Sequence, residues 1–215
     1  MLSFSHAPRL GEPMTLETVQ GNISAEQKKL CERLLAYFVG TSETSYGADI
    51  GEGLKLSRID VYPHPQATDY RNQDQTSTES LDLEARTVCE ITVTKKMCNV
   101  HGTLHGGCAM YLMDPCSVSA LVALGVVAGT DGSGVSQSMF TQWHRPATEG
   151  AQLNIISTTV ASNGYIRSSR CEIRDRNTNV LYVSCVHSIV NVGSKYSKRS
   201  SKGSQLPAPL LGSKL

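Results

Sequence analysis

The sequence lacks an excess of charge of either sign, a paired-cysteine motif and a signal-peptide run, and only 6% of its residues are aromatic. With 20 Lys+Arg against 19 Asp+Glu and a formal net charge of +1, its 215 residues create no global field for nucleic acid or a membrane surface. Nucleic-acid binding is excluded as a bulk electrostatic activity, and any anionic ligand must be met by a local patch. The seven cysteines, Cys31, Cys89, Cys98, Cys108, Cys116, Cys171 and Cys185, are odd in number and scattered, with no C-x-x-C pair and no histidine-spaced cluster. They read as small core residues of a chain made in a reducing compartment, with neither a disulfide framework nor a metal site. The N-terminus shows no apolar signal run, and Glu12 and Glu17 are out of place in an acid-poor transit peptide. From Gly106 to Gly129 the only charge is Asp114. That stretch carries Pro115 and small or hydroxylated residues from Cys116 to Ser119 and lacks flanking anchors, so the expectation is a buried core helix and no membrane span.

What is present is a strong alternation of element types. Ser24 with Gln27 forms a capping box, and Leu30, Leu34, Leu35 and Phe38 mark one face of a helix over 25–39. Residues 54–62 alternate as a strand, 63–80 form a polar, Pro-bearing insertion, and 81–96 alternate again with a change of phase that predicts a bulge or bend. A Gly-rich loop then leads into an apolar helix over 105–124. Four strand-like runs follow, 134–145, 151–161, 165–175 and 180–191, separated by Glu149-Gly150, Asn163-Gly164 and Asn177–Asn179. Two strands, one long helix and four closely spaced strands cannot make a βαβ array. The pattern predicts an α+β fold, an antiparallel sheet wrapped around one central helix, with an extra N-terminal helix. The chain divides into an N-terminal extension (1–53), a core domain (54–192) and a tail (193–215).

The densest cluster of unusual residues is Asn99-Val100-His101-Gly102-Thr103-Leu104-His105-Gly106-Gly107. It enters a helix, so the amides of Gly106 and Gly107 sit in the first turn at the positive end of the dipole, where a ligand can approach the backbone and an oxyanion can be stabilised. His105 is placed to cap the turn or donate to a carbonyl oxygen, and Asn99 to hold a water or a neighbouring loop. Asp114, the lone acid in an apolar helix, must be desolvated or paired. Pro115 beside it removes one helix hydrogen bond and should kink or loosen the helix there. Gly106 and Asp114 are eight residues apart, about 12 Å along a helix axis. One carbonyl cannot reach both, so if both act on the same atom the second comes from another copy of the chain.

Asn99 through Gly107, Asp114, Ala120-Leu121, Gly134-Val135-Ser136 and Arg145-Pro146-Ala147, in that order and spacing, resemble the hotdog-fold acyl-CoA thioesterases of the PaaI-like superfamily over about residues 81–192. The resemblance implies hydrolysis of acyl-CoA to a free acid and CoA without metal or cofactor. It implies a thioester carbonyl polarised by Asn99, His105, Gly106 and Gly107. Asp114 of an opposing subunit would serve as base or nucleophile, Ser136 would hold the attacking water, and Trp143, His144, Arg145 and Pro146 would line the pantetheine channel. It further implies a homodimer, with dimers pairing into tetramers. Ser138 stands where many relatives carry an acid, and Pro115 is atypical. The sequence leaves two other hotdog activities open, a non-catalytic acyl-CoA-binding protein and an enoyl-CoA hydratase. Arg145, Arg167, Lys195, Lys198 and Arg199 are candidate partners for the CoA phosphates.

The sequence ends on Ser213-Lys214-Leu215, which at a free C-terminus is read by the peroxisomal import receptor. The preceding segment from Gly193 is rich in Gly, Ser, Lys and Pro without periodicity, which predicts an accessible tail and a peroxisomal location.

Overall fold

A computed structural model describes residues 19–41, 43–63, 83–162 and 165–191. The greater part of the 63–80 insertion, the Asn163-Gly164 turn, the tail and Ser213-Lys214-Leu215 lie outside the described residues. The chain order is β1 (Gln20–Gly21), α1 (Ala25–Val39), α2 (Ala48–Gly51), β2 (Lys55–Pro63), β3 (Leu83–Thr92), α3 (Gly106–Ala128), β4 (Val135–Trp143), β5 (Gln152–Ala161), β6 (Ile166–Asp175) and β7 (Leu181–Val190). The strands form one sheet in the order β1-β2-β3-β5-β6-β7-β4, antiparallel except for the short β1, which runs parallel to β2.

The expected helix over 25–39 forms with both hydrogen bonds of its capping box, Gln27 N to Ser24 Oγ and Ser24 N to Gln27 Oε1. Its Cys31 and Leu35 are buried in the same core as Leu112, Met113 and Cys116 of α3, so α1 packs on the central helix. β1 was not expected from the sequence. Gly21, at φ +116°, lies so close to Ile59 that a Cβ would fall 1.6 Å from its carbonyl oxygen, which explains why a glycine sits on the edge of β2.

α3 is long and apolar enough to cross a membrane by composition, yet most of it is buried, with Leu112, Met113, Cys116, Ala120 and Ala123 fully so. The inward sheet positions that meet the helix include Ile59, Ala85, Cys89, Ile155, Cys171 and Cys185. Thus the cysteines serve as small core residues: five are buried, two are half-buried and none is disulfide-bonded. α3 extends four residues beyond the expected end, to Ala128, and stops at Gly129 in the left-handed conformation. It runs as one helix through Pro115, so the expected disruption reduces to the single hydrogen bond that a proline cannot donate.

In place of the bulge or bend expected in 81–96, a bulge lies on the partner strand. Leu56 pairs with Cys89 and Arg58 with Val88, leaving Ser57 as the extra residue of β2, while β3 pairs with β5 in unbroken register. The change of phase in β3 therefore reflects Val88 and Cys89 both being buried, one on each face. A second bulge sits in β4. Ser136 pairs with Ile189 and Ser138 with Ser188, leaving Gln137 unmatched.

Candidate active site

The bulge at Gln137 determines which β4 side chains face α3. Ser136 and Trp143 are seven residues apart, and in a regular strand they would point to opposite faces. With one residue extruded, Ser136 pairs with Ile189 and Trp143 with Val183, both helix-facing and buried. Both ends of β4 therefore address α3, Trp143 near its first turn and Ser136 near Asp114.

At the first turn His105 is the N-cap of α3, and its Nδ1 accepts from Gly107 N at 3.0 Å. This corrects part of the expectation. The Gly107 amide is engaged by the histidine, whereas no described residue accepts from the N–H of Gly106. Since Nδ1 is the acceptor, the His105 proton sits on Nε2. The turn thus offers one free amide and one imidazole N–H in an exposed position. Asn99 does not project a free side chain. Its Oδ1 accepts from His101 N at 2.9 Å and Thr103 N at 3.3 Å, and its Nδ2 donates to Thr103 Oγ1 at 3.0 Å, an arrangement that ties the loop leading to the turn. The expected neighbouring loop is not its partner: Asn99 ties its own loop through His101 and Thr103.

An open cavity of about 430 Å³ lies against this turn, lined by Asn99, Gly106, Trp143, Arg145, Pro146 and Tyr182 among others. His144 also lines it and contacts Ser184 Oγ through Nε2 at 2.8 Å. The four residues Trp143, His144, Arg145 and Pro146 thus come together on one wall, beside Gly106, whose missing Cβ would lie 3.5 Å from the Trp143 ring. Arg145 is exposed and, among the described residues, has no acidic partner. Arg167 is not available in the same way, because its Nη1 donates to the Asp131 carbonyl. Lys195, Lys198 and Arg199 lie outside the described residues.

Asp114 does not line this cavity. Its side chain is 51% exposed, so burial does not account for its presence; pairing does. Oδ1 accepts from Ser136 Oγ at 3.2 Å and lies 3.7 Å from His187 Nε2. His187 is fully buried on β7, and its Nδ1 is 2.6 Å from Ser117 Oγ. Burial lowers the His187 pKa below 6.5, with the Asp114 charge opposing in part. Neither His187 nor Ser117 was singled out from the sequence. The available signal was the alternation Val183, Cys185, His187, Ile189, which puts an imidazole in an otherwise apolar inward register.

Among the described residues no group of three or more His, Cys, Asp or Glu is arranged to hold a metal ion. Cys108, adjacent to the turn, is a poor nucleophile at neutral pH because burial pushes its thiol up to about 11.

Two solved structures are similar to this chain in fold over most of their length. Thioesterase superfamily member 2 from zebrafish superposes with a TM-score of 0.54 at 15% identity, covering 75% of this chain and 96% of its own. Its counterpart from Mus musculus gives 0.54 at 18% identity, covering 78% and 98%. The fold is the hotdog fold. No protein-family model matches the sequence, and no curated protein does. The turn at Gly106 and the acid at Asp114 both lie on the central helix of this fold.

Proposed function

We propose that the protein hydrolyses acyl-CoA thioesters to a carboxylic acid and CoA at a site assembled from two copies of the chain. The observation that carries this reading is the division of the machinery along α3. The free amide of Gly106 and its cavity lie at the helix start, and the anchored carboxylate of Asp114 lies two turns on, outside that cavity. Each half faces β4, the last strand of the sheet, whose outer edge has no neighbour among the described strands. An open edge of this length calls for a partner. Pairing of two β4 edges about a two-fold axis brings the Gly106 turn of one copy towards Asp114 of the other. The two structural neighbours named as thioesterase superfamily members support the same class of chemistry.

In this reading the Gly106 N–H and the His105 Nε2–H polarise the thioester carbonyl, and the helix dipole adds to both. With Oδ1 held by Ser136, Asp114 uses Oδ2 to take a proton from water as the water oxygen bonds to the carbonyl carbon. Collapse of the tetrahedral intermediate breaks the C–S bond, and the departing thiolate recovers the proton from Asp114. Arg145, exposed and lining the cavity, would meet a CoA phosphate in this reading. Ser213-Lys214-Leu215 is proposed to direct the protein to peroxisomes through the import receptor.

The test is release of free thiol from a panel of acyl-CoA substrates. Wild type is expected to turn over, Asp114→Asn to lose at least about a hundredfold in kcat, and Ser136→Ala to lose less with KM unchanged. Wild-type protein that binds acyl-CoA and releases no thiol would contradict hydrolysis and favour a binding role.

A further inference from the structure

The fully buried imidazole of His187 has one nitrogen against a hydroxyl and the other against a carboxylate. Ser117 Oγ lies 2.6 Å from Nδ1, while Nε2 has no hydrogen bond and faces Asp114 Oδ1 at 3.7 Å. A buried ring nitrogen without a partner is costly, and the carboxylate is what lies before it. Ser117 has a single proton and two acceptors within reach, the Asp114 carbonyl at 2.9 Å and His187 Nδ1 at 2.6 Å. If Ser117 donates to the carbonyl, the ring must carry its proton on Nδ1, and the lone pair of Nε2 then confronts an ionised carboxylate. If Ser117 donates to Nδ1, the ring proton sits on Nε2 and points at Oδ1. Only the second arrangement is attractive on both sides of the ring.

We propose that His187 is a positioning residue for Asp114, held by Ser117 as the neutral Nε2–H tautomer so that its N–H dipole fixes Oδ1 and leaves Oδ2 to the attacking water. This rests on the reading of Asp114 as the proton acceptor. Oδ1 is then addressed from two sides, by Ser136 on β4 and by His187 on β7, and the carboxylate cannot rotate without giving up both. The ring itself neither gains nor loses a proton during turnover. Burial enforces this, since a charged imidazolium in that place would be poorly solvated. Asp114, on α3, is the charged group that faces it.

The experiment has a spectroscopic and a kinetic arm, both on the full chain. In protein labelled with ¹⁵N-histidine, the ring correlations of His187, assigned by their loss in His187→Gln, are expected to show a neutral Nε2–H tautomer. An Nδ1–H tautomer or an imidazolium at neutral pH would overturn the proposal. Ser117→Ala should destroy the tautomer preference and lower kcat while KM stays constant; an unchanged tautomer with unchanged kcat contradicts it. His187→Val should lower kcat on the order of tenfold, again without KM. His187→Gln, whose amide N–H can replace Nε2–H, should recover most of that loss. Equal effects of valine and glutamine would refute positioning through the N–H. Should the valine variant fail to fold, the Ser117→Ala kinetics and the wild-type tautomer still decide. Asp114→Asn, measured in parallel, separates the two claims. Full activity there removes Asp114 from the chemistry and the proposal with it, whereas an inactive Asp114→Asn beside an unaffected His187→Val removes the positioning role alone.

Discussion

His105 Nδ1 accepts from Gly107 N at 3.0 Å, and this one bond joins the capping of α3 to the orientation of the imidazole at its first turn. An N-cap bond of this kind contributes about 1 kcal/mol. His105→Ser keeps a capping oxygen and removes the ring, so it should melt within a degree or two of wild type (roughly 0.5 kcal/mol) while losing turnover. His105→Ala should lose both. Thermal melts beside thiol-release rates separate the two roles, and full turnover in His105→Ser would show that the ring acts only as a cap.

The buried His187 makes stability depend on pH in a defined sense. Its folded pKa is depressed by burial below the ordinary 6.5, so the unfolded chain binds the proton more readily. The stabilisation is complete above about pH 6.5 and is lost as pH falls towards and through the depressed folded value. Melting temperatures measured across about pH 5 to 8 should therefore fall on the acid side, and His187→Gln should flatten that part of the curve. An identical slope in the variant would show that other groups set it.

The outer face of the sheet carries a cross-strand apolar pair, Phe140 with Val186, 69% and 46% exposed. Such a pair away from the site is suited to packing one dimer on another. Phe140→Lys is expected to reduce a four-chain assembly to two chains in native mass or light-scattering measurements. Turnover per chain should persist, because Phe140 points away from α3. A wild-type protein that is already a two-chain species would contradict the pairing of dimers.

The targeting expectation is tested in cells. A tagged chain lacking Ser213-Lys214-Leu215 should become cytosolic, while the same chain with those residues free at its end should enter peroxisomes. Import that survives the deletion would show that the tripeptide is not the address.

Much of the fold was legible because its elements have strong local signatures. Ser24 and Gln27 announce α1, and the apolar run after Gly106 can only be a helix enclosed on most sides. The bulges were less accessible. A phase change in 81–96 reads the same whether the extra residue sits in β3 or opposite it, and pairing, a non-local property, put it at Ser57. β1, two residues long, has no periodicity to detect; only the glycine forced against Ile59 records it. At the site, Asn99, His105, Gly106 and Asp114 stood out as unusual residues in place. The cap was one of the two roles read for His105, but that it takes the Gly107 amide and leaves Gly106 free depends on the rotamer of His105. Ser117 and His187 are 70 residues apart, and nothing local in either segment links them.

A shared site requires the Gly106 turn and Asp114 to act across two copies, and complementation tests this directly. Gly106 is the first residue of α3, a position that accepts proline, and His105 before it, at φ −63° and ψ 134°, already has the conformation proline requires. Gly106→Pro thus removes the free amide and preserves the helix. Asp114→Asn and Gly106→Pro should each be nearly inactive alone. After co-refolding equal amounts, half of the dimers are mixed and each has one intact site of two, so activity should return to about one quarter of wild type. A mixture no more active than its components would place the amide and the acid in one chain and contradict the shared site.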